Sequence, residues 1–180
     1  MNRSLGLMEF SSIARGIEVA DIMFKASNVE VVTLRHICPG KFMIILCGDV
    51  EEVKEAIETS KEIVSKNIVA SFVITNAHEE LINGLKKRPP IDNFDAVGVM
   101  ETANVTSSLI SLDLALKSAS IKLVKLVIGN GIGGKSYFVV TGSVSSVEEA
   151  IRVAESIIEP KKIIHKTIIP SPSKILLENL

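Results

Sequence analysis

The chain is written twice, and that limits its fold more than any other feature of the sequence. "LGLMEFSS" at 5–12 returns as "VGVMETAN" at 97–104, and "DIMFKASNVEVV" at 21–32 returns as "DLALKSASIKLV" at 113–124. "GKFMIILCGDVEEVKEAI" at 40–57 returns as "GKSYFVVTGSVSSVEEAI" at 134–151. Gly6, Met8, Glu9, Asp21, Lys25, Gly40 and Gly48 have identical counterparts in Gly98, Met100, Glu101, Asp113, Lys117, Gly134 and Gly142. The offset grows from 92 residues at Gly6/Gly98 to 94 at Gly40/Gly134, so the second copy carries two extra residues near that turn. Whatever one copy folds into, the chain holds two of them. The join falls near "KKRPPIDNFD" at 86–95, where charges and paired prolines read as a linker. The resulting division is a first domain over 1–87, a linker over 88–95 and a second domain over 96–180.

Each copy has the same periodicities. Residues 4–10 alternate and read as a strand. Residues 12–26 place Ile13, Ile17, Ala20 and Phe24 at helical spacing. Residues 29–37 and 41–47 are apolar and rich in β-branched side chains, and flank a Cys-Pro-Gly turn as a hairpin. Asp49 with Glu52 has the spacing of a capping box, and Val53, Ile57 and Val64 continue a second helix. "IVASFVIT" at 68–75 is a fourth strand. In the second copy Ser145 and Glu148 form the equivalent box. The order β-α-β-β-α-β predicts an α/β fold: two ferredoxin-like sandwiches in tandem, each one sheet with helices. Helices on one face leave the rest of each small unit to be covered, so the copies are expected to pack on each other and on other chains.

Composition removes several classes of function. A formal net charge of -1 provides no basic footprint for nucleic acid, and 4% aromatic residues with no tryptophan provide no base-stacking platform. No apolar run approaches the roughly 18 residues that span a bilayer. The first residues, "MNRSLGLMEFSSIARG", lack the continuous apolar stretch of a signal peptide. Two cysteines, Cys38 and Cys47, do not make a secreted disulfide framework, and a reducing cytosolic location is expected. No Ser-His-Asp set, no paired carboxylates in a recognisable loop and no phosphate loop in context appear, so the chain is not expected to be an enzyme.

Two turns carry the remaining chemistry. In "RHICPGKF" at 35–42 a lone thiol, Cys38, precedes Pro39 and Gly40. Pro39 restricts φ and Gly40 tolerates unusual dihedrals, a combination able to present a sulfur. A single intracellular cysteine is more often a small buried hydrophobe than a ligand, and Cys47 in the apolar "FMIILCG" reads that way. The second turn, "GNGIGG" (Gly129, Asn130, Gly131, Ile132, Gly133, Gly134), has the glycines of a dinucleotide loop, but a strand rather than a helix follows it. A hairpin turn is the better reading. Lys25 and Lys117 close the first helix of each copy, where a cation suits the helix dipole. His78 and His165 lack partners at ligand spacing.

The words "GLMEF…A…AD…KASNV", the glycine-rich hairpin turn and "GDVEEVKEAI" resemble the shell domain of bacterial microcompartments, over both copies and almost the whole chain. The double arrangement resembles the tandem shell proteins, and "ICPGKF" with "GIGGKSYFVV" is most similar to the tandem type of propanediol-utilising compartments. The resemblance implies a homotrimer that mimics a hexagonal tile in a shell within the cytoplasm. It implies pore turns formed by His36, Ile37, Cys38, Pro39 and Gly40 and by 129–134, and edge contacts from Lys25 and Lys117 to other shell proteins. It also implies an iron–sulfur cluster of the 4Fe-4S type held by Cys38 from three subunits. That cluster would pass electrons across the shell, with enclosed or cytosolic redox enzymes as partners.

A ferredoxin-type cluster usually takes four cysteine thiolates, often closely spaced in one chain, and this chain lacks that spacing. A threefold axis turns one Cys38 into three. The fourth iron then takes a water, a small molecule or another residue; His36 is near in sequence but is not assigned that role. Two other functions stay open on the residues alone. One is a cluster-free pore for small metabolites. The other is a ferredoxin-like small-molecule regulator, which would need polar groups converging at a domain interface.

Overall fold

In the computed structural model, residues 3–64, 66–86 and 95–179 are described. They form two compact units, Met1–Ala77 and His78–Leu180. The reading of 88–95 as a linker lies, apart from Asp95, outside the described residues.

The first unit runs β1 (Ser4–Phe10), α1 (Ile13–Ala26), β2 (Glu30–Ile37), β3 (Lys41–Gly48), α2 (Val50–Ile63) and β4 (Ile68–Ile74). Its antiparallel sheet has the order β2-β3-β1-β4. The second unit opens with α3 (Glu79–Lys86) and continues β5 (Ala96–Thr102), α4 (Val105–Ser118), β6 (Ile121–Ile128), β7 (Ser136–Gly142) and α5 (Val144–Ser156). A 3₁₀ turn (Pro160–Lys162), β8 (Ile163–Pro170) and α6 (Lys174–Asn179) complete it, and its sheet order is β6-β7-β5-β8. The expected tandem β-α-β-β-α-β order is therefore the observed one. The short helices α3 and α6 are additions to it.

Duplication reaches into the packing. α2 buries Val53, Ala56, Ile57 and Ser60, and α5 buries Val147, Ala150, Ile151 and Ala154 at the matching positions. Each of these helices crosses its sheet at a glycine. A Cβ on Gly6 would lie 3.0 Å from Val53, and one on Gly98 would lie 2.7 Å from Val147, so a side chain there would push the helix off the strand. In β3, Phe42, Ile44 and Leu46 join Met8, Phe10, Val19, Met23 and Ile57 in the helix-side core, while Met43, Ile45 and Cys47 are buried on the other face. Each large apolar side chain buried in this way contributes about 1.5–3 kcal/mol.

Three local expectations are corrected. Ile13 and Ile17 of α1 are exposed, and the helix buries Gly16, Val19, Ala20 and Met23 instead. The helix carries two apolar stripes, and Gly16 selects the inner one because only a glycine lets Phe42 approach so closely (a Cβ there would sit 2.6 Å away). Asp49 stands at the N-cap of α2 without a side-chain capping bond, and Glu52 accepts from the Asn28 N–H at 2.9 Å, tying α2 to the start of β2. α5 starts earlier than the Ser145–Glu148 spacing suggests, because Ser143 caps it by accepting from the Ser146 N–H at 3.2 Å. α1 and α4 are capped by Ser12 and Asn104, which accept from the N–H groups of Arg15 and Ser107.

Cys47 is fully buried, as the sequence suggested. Its counterpart Thr141 donates its hydroxyl to the Ala96 carbonyl at 2.8 Å. Ser4 pairs with Gly48 as Ala96 pairs with Gly142, so the matching acceptor in the first unit is the Ser4 carbonyl. Cys47→Thr is therefore expected to shift the unfolding free energy, measured in urea, by less than about 1 kcal/mol. A loss of about 1–3 kcal/mol would mean that the hydroxyl is buried without its acceptor.

Candidate functional site

The β2–β3 hairpin closes where Ile37 pairs with Lys41, and Cys38, Pro39 and Gly40 form the turn between them. Ile37 is buried, Cys38 is half-buried, and His36, Pro39 and Gly40 are exposed. The thiol thus stands at the tip of a hairpin anchored by one buried side chain. Gly40 has φ 77°, a left-handed value that side-chain-bearing residues rarely adopt, and a Cβ there would meet no atom within 4 Å. The demand for glycine at that position is conformational, not steric. The Cys38–Pro39 peptide is cis.

The matching β6–β7 turn spans 129–134. Gly129, Gly131, Gly133 and Gly134 all have positive φ. The Gly129 N–H donates to the Lys135 carbonyl at 3.0 Å, and the Lys135 N–H donates to the Ile132 carbonyl at 3.3 Å. Asn130, Gly131 and Gly133 are exposed, Ile132 is half-buried, and Gly129 and Gly134 are buried at the root. β7 follows the turn directly, so its glycines shape a hairpin and no phosphate-binding helix terminus stands behind them. This turn has no cysteine, so the two units present chemically different tips on equivalent hairpins.

A pair of ion pairs missed by the sequence reading lies at the roots of both turns. Lys41 reaches Glu9 at 3.7 Å, and Lys135 reaches Glu101 at 3.1 Å. The signal was present, since both residues recur in both copies. The Glu9 side chain is wholly buried, whereas that of Glu101 is partly open.

The two lysines at the ends of the first helices sit in different surroundings. Lys25 pairs with Asp21 at 2.5 Å, and both side chains are largely exposed. Lys117 pairs with Asp113 at the same distance, but Asp113 is buried and its other oxygen accepts from the His78 N–H at 2.8 Å. His78 also caps α3, its Nδ1 accepting from the Glu80 N–H at 3.2 Å. His165 lies exposed on β8, opposite Glu101. The shifted carboxyls are elsewhere on the surface. The Arg152 guanidinium hydrogen-bonds Glu149 and holds its carboxyl below the usual range, and Lys161 and Lys162 do the same to Glu159. Among the described residues, no group of three or more His, Cys, Asp or Glu side chains is placed to hold a metal ion, and no helix is long and apolar enough to cross a membrane.

The BMC domain matches the chain twice, over residues 4–77 and 96–172. The chain is 38% identical to the bacterial microcompartment shell protein PduT of Citrobacter freundii, over 96% of this chain and 94% of that protein. Its fold superposes on the crystal structure of a microcompartment protein from Desulfitobacterium hafniense DCB with a TM-score of 0.90 and 35% identity, covering 99% of each chain. A fused, permuted hexameric shell protein of the RMM microcompartment shares the fold at a TM-score of 0.66 and 17% identity, over 86% of this chain and 82% of that one.

Proposed function

The chain belongs to the BMC domain family and is a structural shell protein of a bacterial microcompartment, not an enzyme, and from that premise we propose that it forms a redox-active trimeric tile. Three copies of a two-domain chain place six similar domains around one axis. In this arrangement the Cys38 turns and the 129–134 turns alternate around a central pore. Lys25 and Lys117 face the tile edge, toward other shell proteins.

The observation that carries the redox reading is the placement of Cys38. It is the half-buried thiol on an otherwise exposed hairpin tip, while Cys47 is sealed in β3. One chain therefore supplies one accessible soft donor, and a cluster needs several. Symmetry-related copies provide the missing thiolates, so the donor chemistry fits an iron–sulfur group shared among three chains. Cys38 from each chain would hold it, and when bound it would supply one-electron exchange across the shell. The protein's own contribution is geometric. Ile37 anchors the turn, Gly40 supplies the left-handed residue that reverses the chain, and the Lys41–Glu9 pair fastens the first residue of β3 to β1. Redox enzymes on either side of the shell are the matching partners.

The test is native mass together with iron and acid-labile sulfide content after anaerobic purification and reconstitution. The expected result is the mass of three chains with the iron and acid-labile sulfide of one cluster per trimer. A trimer that takes up no iron leaves a plain pore for metabolites. A mass of one or two chains at micromolar concentration removes the tile as well.

A further inference from the structure

The ion pairs at the roots of the two turns use the same residue types in different surroundings. Met43 is the direct partner of Glu9 across β1 and β3, so Lys41, two residues before Met43, is its diagonal neighbour on the same face. The walls there are apolar, with Met43 on one side of Glu9 and Ala70 of β4 on the other. The Glu9 side chain is 0% exposed and that of Lys41 22%. In the second unit Tyr137 and His165 stand opposite Glu101, and the side chains of Glu101 and Lys135 are 35% and 46% exposed. The closed pair thus belongs to the turn that carries the thiol, and the open pair to the turn without one.

Stability does not account for a closed pair. Taking two charges out of water offsets much of their attraction, and apolar side chains of similar size usually fill such a site as well. The same face does so two residues further along each strand, where Leu7 and Ile45 pair and are fully buried. What the pair adds is a cation fixed near Cys38. Lys41 is the first residue after the Cys38-Pro39-Gly40 turn and closes it by pairing with Ile37. Arg35 and His36, the basic side chains before the turn, are exposed, so water and salt screen them. A charge held mostly out of water acts through a lower effective dielectric and reaches further.

We propose that the closed Glu9–Lys41 pair sets the reduction potential of the group held by Cys38. The potential of an iron–sulfur group follows the net charge around it and its exposure to solvent. The Lys41 ammonium favours the added electron, and the Glu9 carboxylate cancels part of that field and lowers the potential. Three copies of the pair, one from each subunit, act on one shared group. The open Glu101–Lys135 pair is screened and contributes less. This inference rests on the iron–sulfur reading above.

The test is a redox titration of the reconstituted protein, read by visible absorption, with iron content and native mass measured on the same samples. Glu9→Gln keeps the shape of the side chain and removes its charge. At the midpoint of the parent, its ratio of reduced to oxidised protein is expected to rise about tenfold, which is about 59 mV for one electron. Glu9→Gln with Lys41→Met removes both charges and should return the potential toward that of the parent, a reversal that a purely structural role would not produce. Glu101→Gln should shift it less. An unchanged potential in Glu9→Gln at full iron content overturns the inference and leaves the cluster standing. Loss of iron from Glu9→Gln at unchanged mass overturns it too, because the pair then shapes the turn. So does an equal shift in Glu101→Gln. A parent trimer that takes up no iron overturns the inference together with the reading beneath it.

Discussion

Cys38→Ser is expected to abolish iron binding by the anaerobically reconstituted protein while leaving its native mass unchanged. The hairpin does not depend on the thiol. It closes through the Ile37–Lys41 pair and the left-handed Gly40, and Ile37 supplies the buried anchor. Serine occupies a similar volume in a half-buried turn, so the substitution costs little packing. A hydroxyl is a poor ligand for iron beside a soft thiolate, and each substituted chain removes one donor from the shared set. With every donor lost at once, the visible absorption, iron content and acid-labile sulfide should all fall to background. Cys47→Thr, which alters the buried thiol only, should retain them in full. Iron content in Cys38→Ser equal to that of the parent would remove the cysteine from the site. Normal iron content in Cys38→Ser together with loss in Cys47→Thr would move the site into β3.

Lys25→Glu and Lys117→Glu make the same sequence change in the two copies and are expected to differ in what they do to folding stability. Lys25 and Asp21 are both exposed, and an exposed helical pair contributes about 0.3–0.5 kcal/mol, so Lys25→Glu should hardly alter urea unfolding. Its effect should appear in assembly: sheets of tiles seen by electron microscopy are lost while trimers persist. In Lys117→Glu a carboxylate replaces the cation beside Asp113, whose side chain is only 7% exposed. Breaking a buried pair costs about 3–5 kcal/mol, and the partial exposure of Lys117 lowers the expected loss to about 2–3 kcal/mol. The strain falls on a junction, because Asp113 also holds the His78 N–H at the start of α3. Lys117→Met, which removes the charge without adding repulsion, should lose less than Lys117→Glu. Equal stability of Lys25→Glu and Lys117→Glu would show that the Asp113 pair is not a structural contact. Normal sheets from Lys25→Glu would remove Lys25 from the tile edge.

Much of this was legible in the sequence, because duplication lets each copy check the other. Strand and helix periods in one half recur in the other, and the turns recur with their glycines. The observed β-α-β-β-α-β order follows from local patterning and from hairpin turns that need no distant partner. The thiol at the first turn and its absence from the second could be read from a dozen residues, as could the burial of Cys47 within "FMIILCG".

What tertiary structure alone decided is which equivalent surfaces are covered. α1 carries apolar residues on two sides, and periodicity could not choose between the Ile13–Ile17 stripe and the Val19–Met23 stripe. Gly16 chose, through the close approach of Phe42 from another strand. Eight residues of α3 and six of α6 are too few to be stable as isolated helices. Their formation depends on what they lie against, and that partner is distant in sequence. Lys25 and Lys117 share their sequence context down to the aspartate four residues before, yet one is open and the other tied to a buried carboxylate. Burial belongs to the pair of surfaces in contact, so two related repeats with the same fold acquire different environments once a helix lies over only one of them.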